Sequence, residues 1–206
     1  MKILKRKLKN SNVTVGACAL KNALLKIIKY VKTMNTNTFK IILVGDAGVG
    51  KTTLVKRHTS GNFEQKYIAT LGVDVTPLRF KTNYGEYVLN IWDCAGSEKF
   101  MGLGDGYYVE ADTAICMFSL DSKITMENIP KWIRGVKRMC ENIPTMIVGS
   151  KYDVSNLEVN SKMFGDTFRD LGYPMLEISS KSNYQYDKPF LHLLRILTKH
   201  DGLIIV

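Results

Sequence analysis

Apolar and polar positions change period several times along these 206 residues. Phe39-Lys40-Ile41-Ile42-Leu43-Val44 is a short, nearly unbroken apolar run, as a strand buried on both faces makes. Thr53-Leu54-Val55-Lys56-Arg57 reads as the start of a helix. Val73 to Phe80 and Glu86 to Trp92 flank Thr82-Asn83-Tyr84-Gly85, which predicts an antiparallel hairpin. Two further apolar runs, Thr113 to Phe118 and Pro144 to Val148, predict short strands, with helical segments between and after them. Met175-Leu176-Glu177-Ile178 predicts another strand, followed by a helix near Lys188 to Lys199. The repeated alternation predicts an α/β fold. It has about six strands, mostly parallel, with one antiparallel edge strand and helices on both faces. Ligands of such sheets sit at the carboxyl ends of the strands.

The loop after the first strand is Gly45-Asp46-Ala47-Gly48-Val49-Gly50-Lys51-Thr52, followed by Thr53. It fits the phosphate-binding pattern G-x-x-x-x-G-K-[ST] in the strand–loop–helix context that gives the pattern its meaning. Glycines let the backbone wrap a phosphate with its N–H groups inward, and the next helix adds its positive end. Lys51 can reach the β- and γ-phosphates, and the Thr52 hydroxyl can bind Mg²⁺.

The other strand ends carry matching chemistry. Trp92-Asp93-Cys94-Ala95-Gly96 places Asp93 where a Mg²⁺ site needs a carboxylate. Gly96 can bring a backbone N–H to a γ-phosphate without a Cβ in the way. Thr70 can supply another hydroxyl to the metal. In Gly149-Ser150-Lys151-Tyr152-Asp153 the Asp153 carboxylate can accept two N–H bonds from guanine and matches adenine poorly. Ser179-Ser180-Lys181 can offer backbone N–H groups to the base.

Charge is unevenly spread. Of 29 Lys and Arg, ten fall within residues 1–40, which hold no Asp or Glu, leaving 19 basic against 19 acidic side chains in the rest. The net +10 therefore lies at the N-terminus, and the neutral body gives no reason to expect direct nucleic-acid binding. That segment has a basic cluster, Lys2 to Lys9, then Leu20, Ala23, Leu24, Ile27, Ile28 and Val31 at helical spacing. Four readings stay open: a helix on an anionic membrane, a targeting segment, a nuclear localisation signal, or a bland one, in which the segment is an extension of little function or the true start lies near Met34. No apolar run approaches the ~20 residues that span a bilayer. Cys18, Cys94, Cys116 and Cys140 show no C-x-x-C spacing and suit a reducing compartment. His58, His192 and His200 are scattered and read as packing or surface residues.

The segments VKRHTSGNFEQKYIATLGVDV, WDCAGSEKF, GDGYYV, CENIP and KSNYQYDKPFLHLLRIL resemble the small GTPases, and within them the Ran family of nuclear transport. The resemblance covers about residues 39–198. It implies a P-loop GTPase G domain over 39–199, between a basic extension at 1–38 and a short end at 200–206. It further implies a GTP/GDP switch using Mg²⁺ and found in nucleus and cytoplasm. One switch loop would run from Lys66 through Tyr67, Ile68 and Ala69 to Thr70, the other from Ala95 to Tyr107. Carried over, Lys51 and Thr52 hold phosphate and Mg²⁺, Thr70 senses the γ-phosphate, and Asp93 supports the metal. Lys151 packs along the base, Asp153 reads guanine, and Phe63 leans on the base. Implied partners are importin-β-type receptors, an exchange factor and a GTPase-activating protein. A monomer is expected, with membrane contact only through residues 1–33.

Departures matter as much. Ser97 stands where the family has the Gln that orients the attacking water. Ala47 occupies a glycine position of the phosphate loop. Both point toward slow hydrolysis by the catalytic set Ser97, Gly96, Thr70 and Lys51, although other small GTPases also vary at the Ala47 position. A GTP-binding adaptor or decoy that hardly hydrolyses is the alternative. A P-loop ATPase or nucleotide kinase is a third, against which Asp153 and Ser179-Ser180-Lys181 argue. Ser150 replaces the Asn of N-K-x-D, so guanine selectivity is expected with some loss of affinity. The residues end at Leu203-Ile204-Ile205-Val206, where the family continues into a linker, a helix and an acidic tail, and with no Cys box there prenyl anchoring is not expected.

Overall fold

The computed structural model describes residues 37–97 and 104–206. The basic stretch with its amphipathic pattern, Met34, and residues 98–103 of the expected second switch loop lie outside the described residues. The elements are β1 (Thr38–Val44), α1 (Lys51–Ser60), β2 (Val73–Thr82), β3 (Gly85–Cys94), β4 (Thr113–Ser119), α2 (Lys123–Glu127), α3 (Ile129–Met139), β5 (Thr145–Ser150), α4 (Ser161–Phe168), β6 (Met175–Glu177) and α5 (Lys188–Thr198). Six strands form one sheet in the order β2-β3-β1-β4-β5-β6. β1 and β4, β4 and β5, and β5 and β6 pair parallel, while β2 and β3 pair antiparallel. This is the α/β fold with one antiparallel edge that the hydrophobic pattern predicts.

The pleat divides the core. Ile42 and Val44 of β1, with Cys116 and Phe118 of β4, pack under Trp132, Ile133 and Val136 of α3 and Phe164 and Phe168 of α4. Ile41 and Leu43, with Ile115 and Met117, pack on the other face under Leu54 and Val55 of α1 and Phe190, Leu193 and Leu194 of α5. Period-two alternation sends neighbouring residues to opposite faces, so strands covered on both sides must be apolar throughout. β4 and β5 are accordingly buried along their whole length. In α3, Ile129, Trp132, Ile133 and Val136 make one buried stripe at helical spacing, and Pro130 sits in the first turn where its missing N–H costs no bond.

The hairpin is longer than its apolar stretch. It pairs from Val73↔Cys94 down to Thr82↔Gly85, leaving a two-residue turn, Asn83-Tyr84. Pro77 is accommodated because β2 is the outermost strand. The final residues fold back onto the hairpin tip. Ile205 forms an antiparallel bridge with Thr82, Val206 N–H donates to Lys81 O at 3.0 Å, and Leu203 is fully buried. Tyr84 stacks on His200 with centroids 4.2 Å apart. No helix among the described residues is long and apolar enough to cross a membrane.

Candidate functional site

The sheet order reverses direction around β1, so the loop leaving β1 stands at a switch point between β3 and β4. A cavity of about 670 Å³ opens there. Its phosphate-loop wall is Ala47, Gly48, Gly50, Lys51, Thr52 and Thr53. The loop from Asn62 to Leu71 closes another side and brings Phe63, Lys66, Tyr67, Ile68, Ala69 and Thr70 to it. Gly96 and Ser97 reach it after β3, Ser150, Lys151 and Asp153 after β5, and Ser180 and Lys181 after β6. Gly45, Asp46, Val49, Asp93, Ala95 and Ser179 stand behind this lining. Sites spread over 137 positions thus converge on one cavity, between Gly45 and Lys181.

Backbone shape makes the phosphate loop. Gly45 has φ 143°, and a Cβ there would lie 2.1 Å from Met117 O of β4. Gly50 caps α1 in the left-handed region at φ 95°. Lys51 is buried, and its ammonium donates to Gly45 O and Asp46 O, each at 2.8 Å. Burial pulls its pKa down, opposed by the charge of Asp93. Gly96 serves a purpose the sequence does not show. A Cβ on it would lie 2.4 Å from Ala47 N and from the Asp46 carbonyl carbon. The missing side chain is therefore required by close contact with the phosphate loop itself.

Three oxygen-bearing side chains meet at the edge of the cavity. Thr52 Oγ1 donates to Asp93 Oδ2 at 2.5 Å and stands 3.1 Å from Thr70 Oγ1. A hydroxyl has one proton, so Thr70 donates to Thr52. Asp93 is buried, its Oδ1 has no partner, and burial raises its pKa against the pull of Thr52 and Lys51. A buried carboxylate oxygen left over beside two hydroxyls is a donor set that suits a hard divalent cation and its waters.

The opposite end of the cavity is held by side chains spaced far apart in sequence. Ser179 Oγ donates to Asp153 Oδ1 at 2.6 Å, and Lys181 Nζ lies 3.9 Å from Asp153 Oδ2. Lys151, at φ 61°, pairs its ammonium with Asp121 at 3.1 Å. Burial would raise the Asp121 pKa, but the Ser119 hydroxyl and Lys151 outweigh it and leave it lowered. Ser150 Oγ is 2.5 Å from Val49 O and 2.9 Å from Phe118 O, joining the phosphate loop to β4 and β5. On the far side, His58 of α1 donates from Nε2 to Tyr186 O at 3.1 Å and packs its ring on Phe190 and Phe80. Arg57 Nε donates to Asn183 Oδ1 at 2.7 Å, so α1 braces the loop that carries Ser179 to Lys181.

Asp121, which pairs with Lys151, and Asn128 and Trp132, which donate to the Asp46 carboxylate, were not legible as supports of the site, nor was the Ser179–Asp153 bond. A carboxylate inside a phosphate-binding loop was the available signal, since Asp46 needs donors from somewhere. The thiols of Cys94 and Cys116 are buried and pushed up to about 12, which leaves them inert packing groups.

A glycine-rich loop at a sheet switch point, a lysine over it and a hydroxyl–carboxylate cluster beside it define a P-loop nucleotide-binding domain. Residues 40–199 match the model of the Ras family, and the chain belongs to that family. It is a GTP-binding small GTPase.

Proposed function

We propose that this switch is a Ran-like GTPase of nucleocytoplasmic protein transport, and that it hydrolyses GTP slowly. The segments KYIATLG and KSNYQYDKPF support the Ran-like reading, being far more particular than the phosphate loop. On this reading the protein works in nucleus and cytoplasm as a monomer. Its GTP form engages importin-β-type receptors, an exchange factor reloads it, and a GTPase-activating protein acts on it.

Each cavity residue then takes a role. Lys51 exchanges its two carbonyl partners for β- and γ-phosphate oxygens. Thr52 and Thr70 would hold Mg²⁺, with Asp93 supporting it, and that ion supplies charge neutralisation on the phosphates. Gly96 presents its N–H toward the γ-phosphate, Lys151 and Phe63 flank the base, and Asp153 accepts from guanine. Water attacks the γ-phosphorus in line, and most of the rate comes from positioning and charge.

The observation that carries slow hydrolysis is that Ser97 and Ala47 both line the cavity beside Gly96. A serine hydroxyl is too short to accept from the water and donate to the phosphate at the distance a Gln amide spans. The Ala47 methyl takes space that an incoming arginine would need, and such a finger is worth about 10³–10⁵ in rate. The same two residues favour a second reading, in which the protein is a GTP-loaded adaptor or decoy that occupies receptors without cycling.

Single-turnover hydrolysis by the GTP-loaded protein, run beside Ser97→Gln, decides. Slow turnover that rises at least tenfold in Ser97→Gln is the expected result. A wild type as fast as ordinary small GTPases would remove the slow-hydrolysis reading. A slow wild type with no rescue would mean that restoring the amide at position 97 does not suffice, and would favour the adaptor.

A further inference from the structure

Asp46 is an unusual group to find in a loop that wraps phosphates, because its charge has the sign of the ligand. Its carboxylate is nevertheless fully engaged. Oδ2 accepts from Asn128 Nδ2 at 2.7 Å, and Oδ1 accepts from the Trp132 indole Nε1 at 2.8 Å. Both donors come from the start of α3, 82 and 86 residues further along the chain. Trp132 is 6% exposed and packed in the core under β1 and β4. The Asp46 carboxylate does not line the cavity, although Ala47 and Gly48 beside it do. Its peptide is also a junction, since Asp46 O accepts from Lys51 Nζ at 2.8 Å and the same carbonyl group touches Gly96.

We propose that Asn128 and Trp132 are positioning residues for the nucleotide. They hold the Asp46 charge turned toward α3, away from the phosphates, and so fix the peptide on which Lys51 and Gly96 meet. Neither touches the ligand. Both act through Asp46, and the role rests on the guanine-nucleotide reading of the cavity. Two neutral N–H donors suit the task because they satisfy the carboxylate without adding a cation that would compete with Lys51 for the phosphates. Losing one donor leaves the carboxylate free to swing toward the bound diphosphate, where repulsion speeds release.

The test is a double-mutant cycle on the dissociation rate of fluorescent GDP from the full chain, with Trp132→Phe and Asp46→Asn singly and together. Trp132→Phe keeps the ring and removes only the N–H. The expected result is release about tenfold faster in Trp132→Phe, from the loss of one hydrogen bond to a charged group. That acceleration should shrink as salt is raised, and it should vanish in the Asp46→Asn background, where no charge needs restraint. Acceleration of the same size in the Asp46→Asn background would overturn the proposal, since the indole would then act by packing alone. Release unchanged within twofold in Trp132→Phe would also overturn it. Asn128→Ala, put through the same cycle, serves if Trp132→Phe does not fold. A wild type that holds no GDP would sink the nucleotide reading itself, and this proposal with it.

Discussion

Ser150→Ala tests how the two ends of the cavity are joined. Ser150 is 4% exposed, and its hydroxyl lies within hydrogen-bond reach of Val49 O in the phosphate loop and Phe118 O at the end of β4. One proton serves two carbonyls, so the shorter contact, at 2.5 Å to Val49, has the larger share. Alanine removes the donor and leaves both oxygens beside a methyl group. An acceptor left without a donor in a buried site costs about 1–3 kcal/mol, and with one shared proton lost the lower half of that range applies, about 1.5 kcal/mol. In a domain of this size that corresponds to a fall in Tm of about 3–6 °C. If the strain is relieved by letting the Val49 end of the loop drift, GDP release should quicken by about tenfold. Thermal unfolding of the nucleotide-free protein and a GDP dissociation assay read the two effects separately. A Tm within 1 °C of wild type, with unchanged release, would refute the idea that this hydroxyl ties the phosphate loop to β4.

Two further outcomes follow from contacts already described. Gly96→Ala forces a Cβ to within 2.4 Å of rigid phosphate-loop backbone, so the two loops must part. Overpacking of this kind costs about 1–3 kcal/mol, and titration with a non-hydrolysable GTP analogue should show at least a tenfold loss of affinity, where an unchanged constant would contradict the close packing. Burial holds the pKa of His58 below its ordinary 6.5, against the hydrogen bond to Tyr186 and the charge of Asp187. The unfolded chain therefore takes up a proton near pH 6.5 that the folded chain does not, and stability should fall as pH drops from 7.5 through 6.5 toward the lowered value. His192 is lowered by burial and by Arg195 and adds a slope of the same sign, so the decisive comparison is chemical denaturation of wild type against His58→Phe. The variant should lose stability less steeply with acid, and identical slopes would mean that folding does not lower the His58 pKa.

What could be read in advance was what is written locally. The phosphate loop is contiguous, from Gly45 to Thr52, so one stretch of sequence carries both its shape and its chemistry. The central strands are apolar on both faces, which identifies them and their parallel pairing together. Strand ends then place Asp93, Ser150 and Ser179 on one side of the sheet. The supporting bonds were not legible, because each joins residues far apart: Asp46 with Asn128 and Trp132, Asp121 with Lys151, and Asp153 with Ser179. Polar side chains of this kind follow no period, and only the folded topology selects their partners. The Gly96 requirement was hidden for the same reason, since the atoms a Cβ would strike lie some fifty residues away. The role of the last residues was equally out of reach, because the β-branched run Ile204-Ile205-Val206 after Asp201-Gly202 suits a strand but does not say which edge it would join.

The bridge between Ile205 and Thr82 has a bearing on solubility as well. A sheet with two open margins invites a second chain to add itself in register, and long, flat margins are the usual seeds of amyloid. One margin here is β6, only three residues long, which offers too few rungs to act as a template. The other, β2, is ten residues long and needs more protection. Pro77 withholds one donor, the exposed Lys81 sets a positive charge on the strand beside the Arg79–Glu86 ion pair, and the returning tail takes the backbone oxygen of Lys81. The guards are gathered on the half of β2 farther from the cavity, so the half that brings Asp74 to the cavity wall is the part of this margin left open to a second chain.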